Sequence, residues 1–340
     1  MGVRQYHCHI HVRLTFFARE EIVRRDLRTG TKETRSRNSK RVVAVLAASA
    51  ASAALLAAAP GAGSATPAAA AKTATSAAAT KTPAAAPSLR AYGITGDGTL
   101  MATFTTDRPT VLDWVRVITG LEGDQKLVGI DYRVQDGLMY GVGDKGGIYT
   151  IQTPPTTSDV VVTKVSQLKI ALSGNKFGVD FNPAADRLRV ISDNGQNLRH
   201  NLNDHTTAKD VALTTPPVSG TTSGVSSAAY TNNDLNATTV TTLFDVNTTS
   251  DQVVIQAPAN NGTLSPTGSL TIDAGADSGL DIFSYLTNGK TTSNAAFASL
   301  TPYGANTPTL YSVNLFTGEV AAIGKFPLNI TDLAITLSGG

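Results

Sequence analysis

The chain has 340 residues, with 28 Lys/Arg against 26 Asp/Glu, one cysteine and five histidines. Residues 1–41 hold 11 of the basic and 4 of the acidic side chains, which leaves the remainder near −5; that balance argues against nucleic-acid binding, which needs a basic surface. Cys8 lies in the basic stretch, so no disulfide, cysteine-ligated zinc or thiolate nucleophile can form beyond it, and only His200 and His205 remain there for imidazole chemistry.

Residues 42–59, VVAVLAASAASAALLAAA, form an apolar run between Lys40-Arg41 and Pro60. The basic flank, apolar core and small residues Gly63-Ser64-Ala65 predict a secretory signal peptide over 42–65, cleaved after Ala65. Left uncleaved, the 18-residue run would be a signal anchor, the one route by which this chain would engage a membrane. No cysteine follows it, which excludes a lipoprotein anchor. The 41-residue basic extension is long for a signal peptide and fits a start of translation nearer Lys40; a metal tract at His7-Cys8-His9-Ile10-His11 is the less favoured reading. Residues 66–88 are rich in Ala, Thr, Pro and Lys, without aromatics or apolar period. Such a stretch buries too little surface to offset its ordering entropy and predicts a disordered tether. The folded domain is expected over 89–340.

Within that domain one phrase is echoed five times: LVGIDYR at 127–133, KFGVDFN at 176–182, VSSAAYT at 225–231, SGLDIFS at 278–284 and ITDLAIT at 330–336. Gly129, Gly178, Ser227, Gly279 and Asp332 take equivalent places, 49, 49, 52 and 53 residues apart. A period near 50 points to stacked or circular repeats such as propeller blades. The unit that starts at 176 divides into four strand-like runs, at 177–181, 188–192, 197–202 and 208–213. They are separated by the turn-forming NPAADR, DNGQ and NDHTT. No later segment has a sustained helical period, so the domain is all-β. Four full units start at 127, 176, 225 and 278. The runs at 90–94, 99–104 and 111–118 lack a first strand, and 330–337 is a first strand without successors. Pairing the two fragments gives a β-propeller of five four-stranded blades, closed by the C-terminal strand and the N-terminal three, which removes open sheet edges.

The runs GIDYR (129–133), FGVDFNPAADRLRVISDNGQNLR (177–199), AAYTNN (228–233), TTLFDV (241–246) and PANNGTL (258–264) resemble a family of secreted bacterial proteins, the domain-of-unknown-function family numbered 4394. The resemblance spans 89–337. It implies an extracytoplasmic, propeller-like domain and no established activity, and so supplies no catalytic residue.

Asp131, Asp180 and Asp281 occupy one position of the echoed phrase, with Ala229 and Ala334 in the other two. First strands of propeller blades line the channel, so three carboxylates there could hold a hard cation such as Ca. The favoured reading is that each aspartate accepts hydrogen bonds from the neighbouring blade. Convergence of the three within coordination reach would reverse the preference, toward a metal-dependent enzyme and away from a binding module. Arg189 and Arg199 lie in strands covered on both faces and need carboxylate partners, with Asp180 or Asp193 the candidates; the alternative is that Arg189, Arg199 and Gln196 bind an anionic ligand at the channel mouth. Asp245-x-Asn247-x-Thr249-x-Asp251 faintly resembles a calcium loop without its central glycine and distal glutamate; a hairpin turn is preferred. His200 and His205 read as surface residues, and no serine has an evident histidine base. No hydrolase elbow, zinc-protease motif, P-loop or dinucleotide fingerprint is present.

These features favour an exported, non-enzymatic binding or interaction module, a monomer whose partner is a small molecule or an extracellular or cell-surface component. It needs no cofactor, with Ca the one candidate. The competing reading is a metal-dependent, Ca-type lactonase-like hydrolase with its site in the channel.

Overall fold

The computed structural model describes residues 86–340. The basic extension, the apolar segment with its cleavage site and most of the Ala/Thr/Pro-rich stretch lie outside the described residues. The regular elements described are twenty β-strands and one 3-10 turn at Ala259–Asn261. Strands β1 (Arg90–Thr95), β2 (Leu100–Thr105) and β3 (Trp114–Thr119) run as an antiparallel meander. A second meander follows: β4 (Leu127–Tyr132), β5 (Met139–Gly143), β6 (Gly147–Gln152) and β7 (Val160–Gln167). The third comprises β8 (Phe177–Asn182), β9 (Arg187–Ser192), β10 (Asn197–Asn201) and β11 (Thr206–Lys209). The fourth comprises β12 (Val225–Tyr230), β13 (Leu243–Asn247), β14 (Gln252–Gln256) and β15 (Leu264–Ser269). The fifth comprises β16 (Ala274–Thr287), β17 (Lys290–Pro302), β18 (Thr309–Val313) and β19 (Val320–Lys325). The last strand, β20 (Ile330–Ile335), pairs antiparallel with β1, setting Tyr92 opposite Ala334 and Gly93 opposite Leu333. The domain is thus all-β and propeller-like, built largely of four-stranded sheets.

Two details differ from the sequence expectation. β3 and β7 pair in parallel through Ile118–Val160 and Thr119–Val161, so β20-β1-β2-β3 and β4–β7 merge into one eight-stranded sheet. Burial explains this: Ile118, Val160 and Val162 share a core cluster with Ile94 and Met101, which draws the two outer strands together. The strand expected over 208–213 is β11 instead, shorter and earlier. His205 closes the hairpin at φ 57, and after β11 the chain leaves the sheet, with the Val211 N–H donating to Asn260 O and the Leu213 N–H to Gly195 O.

The five echoed phrases fall on β4, β8, β12, β16 and β20. β4 packs beside β8, β8 beside β12, β12 beside β16, β16 beside β20, and β20 beside β4. The repeated glycine serves this approach. A Cβ on Gly178 would stand 2.6 Å from Ala228 N, and one on Gly279 2.6 Å from Asp332 Cα. A side chain at either position would push the adjoining strands apart. Apolar residues fill the spaces between successive sheets, as where Tyr140, Val142 and Ile148 meet Phe181, Leu188 and Val190. Both faces of most strands are therefore covered, so polar side chains inside must find partners.

Candidate functional site

The first strands bring Asp131 (β4), Asp180 (β8) and Asp281 (β16) together, each buried and each with one oxygen within 4.8 Å of the others. Asp332 (β20), also buried, joins them. Each carboxylate meets a backbone N–H of an adjoining first strand. Phe181 N donates to Asp131 Oδ2 at 2.7 Å, Tyr230 N to Asp180 Oδ1 at 3.1 Å, and Ile335 N to Asp281 Oδ2 at 2.5 Å. Two positions of the phrase carry alanine, and both gaps are filled. Ala334 has no acceptor, but Asp332 lies two residues earlier on the same strand face and takes the Ile130 N–H at 2.8 Å. Opposite Ala229, the Ile282 N–H turns to its own neighbour, Asp281 Oδ1, at 2.5 Å. Hydroxyls add to the β12–β16 contact: Ser278 Oγ lies 2.6 Å from Ser226 Oγ and donates to Ser227 Oγ at 3.0 Å.

Burial, then repulsion from Asp281, pushes the Asp131 carboxyl well above the usual range; burial and Asp131 do the same to Asp180, and burial to Asp332. Asp281 is raised by burial but held to about 6 by its two backbone donors. At neutral pH the cluster therefore holds protons rather than a full set of charges. The three-carboxylate geometry is also within coordination reach of Ca, whose oxygen ligands sit about 2.3–2.6 Å from the ion. The cavity that Asp332 lines here measures only about 40 Å³, and the Lys176–Asp277 ion pair forms part of its wall. That space, which Asp131, Asp180 and Asp281 do not line, has room for a water or an ion.

The arginines lie elsewhere, between the third and fourth meanders. Among the described residues Arg189 is the largest fully buried side chain, at 2% exposure. Its expected partners are incorrect: Asp180 is engaged with Tyr230 N, and Asp193 Oδ1 accepts the Asn175 N–H from the segment that precedes β8. Arg189 Nη1 instead donates to Asp210 Oδ2 at 2.6 Å and Asn197 Oδ1 at 2.7 Å, Nη2 to Asn260 Oδ1 at 2.7 Å, and Nε to the Tyr230 hydroxyl at 3.2 Å. Arg199 stands directly opposite Arg189 on β10 and grips both Asp210 oxygens through Nε and Nη2 at 3.1 and 3.2 Å. Two facing guanidiniums repel, and Asp210 between them makes the pairing tolerable. Asp210 was invisible as a partner because it follows the end of β11. Gln196 does not join the arginines. Its amide spans the 171–173 loop, donating to Ala171 O and accepting from Ser173 N.

The segment read as a faint calcium loop is a hairpin turn. Asn247 Oδ1 accepts the N–H groups of Thr249 and Ser250, while Asp245 is fully buried in β13 with neither oxygen bonded. Burial raises the Asp245 carboxyl well above its usual range against the pull of Arg189.

His200 is buried, contrary to the surface reading, and the structure supplies a contact with no sequence signal, since the partner is 34 residues away on another sheet. Ser166 Oγ of β7 lies 2.9 Å from His200 Nε2 and 2.8 Å from His205 Nδ1. Burial lowers His200 to about 4, so its ring is neutral at pH 7. A serine beside a neutral imidazole is half of a nucleophilic triad. The group behind the ring, however, is the Thr207 hydroxyl at 2.9 Å, which already accepts the Lys169 N–H. A hydroxyl orients the ring but offers no charge to stabilise an imidazolium.

Comparison with known proteins completes the description. The profile of one protein family matches residues 100–334, well over half of the chain. The chain belongs to the family described as a domain of unknown function, DUF4394. No curated protein matches it. Several solved structures resemble the DUF4394 domain distantly. One is a Bacteroides thetaiotaomicron protein of unknown function, with 13% identity, 74% of this chain and 68% of that one covered, and a TM-score of 0.40. The glutaminyl cyclase of Myxococcus xanthus shares 12% identity over 70% of this chain and 96% of its own, with a TM-score of 0.40. A chain of a nidogen/laminin complex shares 9% identity over 75% and 100%, with a TM-score of 0.41. At this distance no activity transfers.

Proposed function

We propose that the DUF4394 domain is an exported, non-enzymatic binding or interaction module carried on a five-bladed β-propeller, closed by β20 completing the blade of β1–β3. The observation that carries this reading is that the clustered aspartates already serve the contacts between first strands. Each accepts a backbone N–H at an adjoining first strand, and all five first strands take part. Groups held this way fix the blades to one another and have little freedom for chemistry. The two histidines fit the same reading, because Thr207 stands where a triad needs a carboxylate. The basic flank and apolar run at 40–59 support export, with the folded unit beginning near Leu89 and acting as a monomer.

A metal-dependent, Ca-type hydrolase is the second reading, favoured by the convergence of Asp131, Asp180 and Asp281. The backbone N–H groups that each carboxylate already accepts, and the protons that burial keeps on the cluster, weigh against it. Assaying the full chain against a panel of lactones and esters with about 5 mM Ca (at least about five-hundredfold above a sensor-range Kd) tests the choice. The binding-module reading expects rates equal to a buffer blank. Turnover that disappears in Asp180→Asn would establish the hydrolase.

A further inference from the structure

We propose that the cleft between the third and fourth meanders is a binding site for a small oxyanion-bearing ligand: a phosphate, sulfate or carboxylate group on a compact polar body. The inference rests on the binding-module reading and supplies the ligand class. The cleft measures about 320 Å³, and Arg187, Arg189, Arg199, Tyr230, Asn260 and Asn261 are among the residues that line it. That is the low end of small-molecule pocket sizes. Register explains why three guanidiniums meet here. Arg187 and Arg189 are two apart on β9, hence on one face, and Arg199 pairs with Arg189 across β10. The next position in that row, on β11, is Ala208, which leaves room beside Arg199.

Hydrogen bonding leaves a surplus of donors. Asp210 is shared by Arg189 and Arg199, and the carboxylates of Asp186 and Asp204 lie near enough to act on the Arg187 charge without bonding its guanidinium. Asp186, adjacent in sequence to Arg187, is clamped by Arg133 through Nε and Nη2 at 2.7 and 2.6 Å. Arg187 itself uses only Nη1, on the carbonyls of Ala185 and Asp186, which leaves its Nε/Nη2 edge for a ligand. Arg199 keeps Nη1 free of Asp210. Asn260 spends its oxygen on Arg189 and retains its amide donors. Such a cleft needs an occupant rich in acceptors, and the planar guanidinium edge matches an oxyanion bidentately. Arg189 and Asp210 hold the wall rigid, so little ordering cost accompanies binding. A polyanion does not fit, because the domain carries net negative charge outside this concave spot.

The test uses the full-length chain in isothermal titrations with inorganic phosphate, glucose 6-phosphate and glucuronate at constant ionic strength. The site predicts saturable binding of at least one probe. Arg187→Gln should weaken it roughly ten- to a hundredfold, the loss of a charge-assisted contact, with the melting temperature of the free protein unchanged. Arg116→Gln, on the exposed part of β3, should bind like wild type. Preference between the phosphate and glucuronate arms identifies the oxyanion. No saturable binding of any probe, or equal weakening by both substitutions, overturns the site while leaving a module that binds elsewhere. If glucose 6-phosphate is bound and returned hydrolysed, with hydrolysis lost in Arg187→Gln, the site stands and the non-enzymatic reading fails.

Discussion

Replacing Arg189 by methionine keeps much of the apolar stem and removes the guanidinium from a place where water cannot substitute for it. Three losses follow. Asp210, with its side chain 7% exposed, loses its shortest partner, although Arg199 still holds both oxygens and softens the effect. Asn197, at 1% exposure, loses the donor to its oxygen while its amide stays tied to Val211 O and Ala259 O. The buried Tyr230 hydroxyl loses the Nε–H donor, whereas exposed Asn260 can turn to solvent. Breaking a buried pair by removing one partner costs about 3–5 kcal/mol, and a stranded buried acceptor about 1–3 kcal/mol. These overlap, and the retained Arg199 sets the total toward the lower end, about 3–5 kcal/mol in all. For a domain of this size that lowers the melting temperature by roughly 6–20 °C. Thermal melts followed by circular dichroism measure it directly. Arg189→Met combined with Asp210→Asn should be less damaging than the two single changes added together, because the charge stranded by the first is absent. A single variant that melts with wild type, or strict additivity in the double, would refute a buried, mutually satisfied pair.

Two further outcomes follow from the channel and the closing strand. Truncation after Phe326 deletes β20, exposes the edge of β1 and removes the acceptor for Ile130 N–H; it should aggregate or melt far lower in light scattering and calorimetry, and a monomer of unchanged stability would sink the five-bladed ring. Because Asp131, Asp180, Asp281, Asp332 and Asp245 have folded-state pKa values raised above the unfolded value, their share of stability is full below the ordinary carboxylate range and is lost as pH rises through the folded values, about 6 for Asp281. Asp186 and Asp234 are lowered and act in the opposite sense only at still lower pH, whereas His200, lowered to about 4, opposes the carboxyls between pH 5 and the ordinary imidazole range, one group against five. The melting temperature should therefore be higher at pH 5 than at pH 8, and a flat or rising profile across that interval would contradict the raised carboxyls.

The echoed phrase made most of the architecture legible, because a first strand in close contact with two neighbours needs a small residue at one position and an acceptor two positions later. The same two-residue logic could have found Asp332, which stands on the face where Ala334 lacks a carboxylate; aligning the phrase by its glycine concealed it. The β3–β7 parallel pairing depends on how two outer strands are drawn onto a shared core, a non-local effect with no local sequence signal. Arg189 was recognisable as a buried cation in need of a partner. Its partner was not, since Asp210 lies past the end of β11 and is brought back by the departing chain. The same holds for Ser166 and the two histidines, which meet only where two sheets face each other.

The central claim is that the channel carboxylates fasten the first strands to one another and do not carry a catalytic metal. Calorimetric titration of Ca into the chelator-treated protein at pH 7.5, with melting temperatures taken with and without excess chelator, addresses it most directly. The account predicts no stoichiometric Ca at micromolar concentration and a melting temperature indifferent to chelator. One tightly bound Ca per chain, lost in Asp131→Asn or Asp180→Asn and accompanied by a large chelator-induced drop in melting temperature, would contradict it.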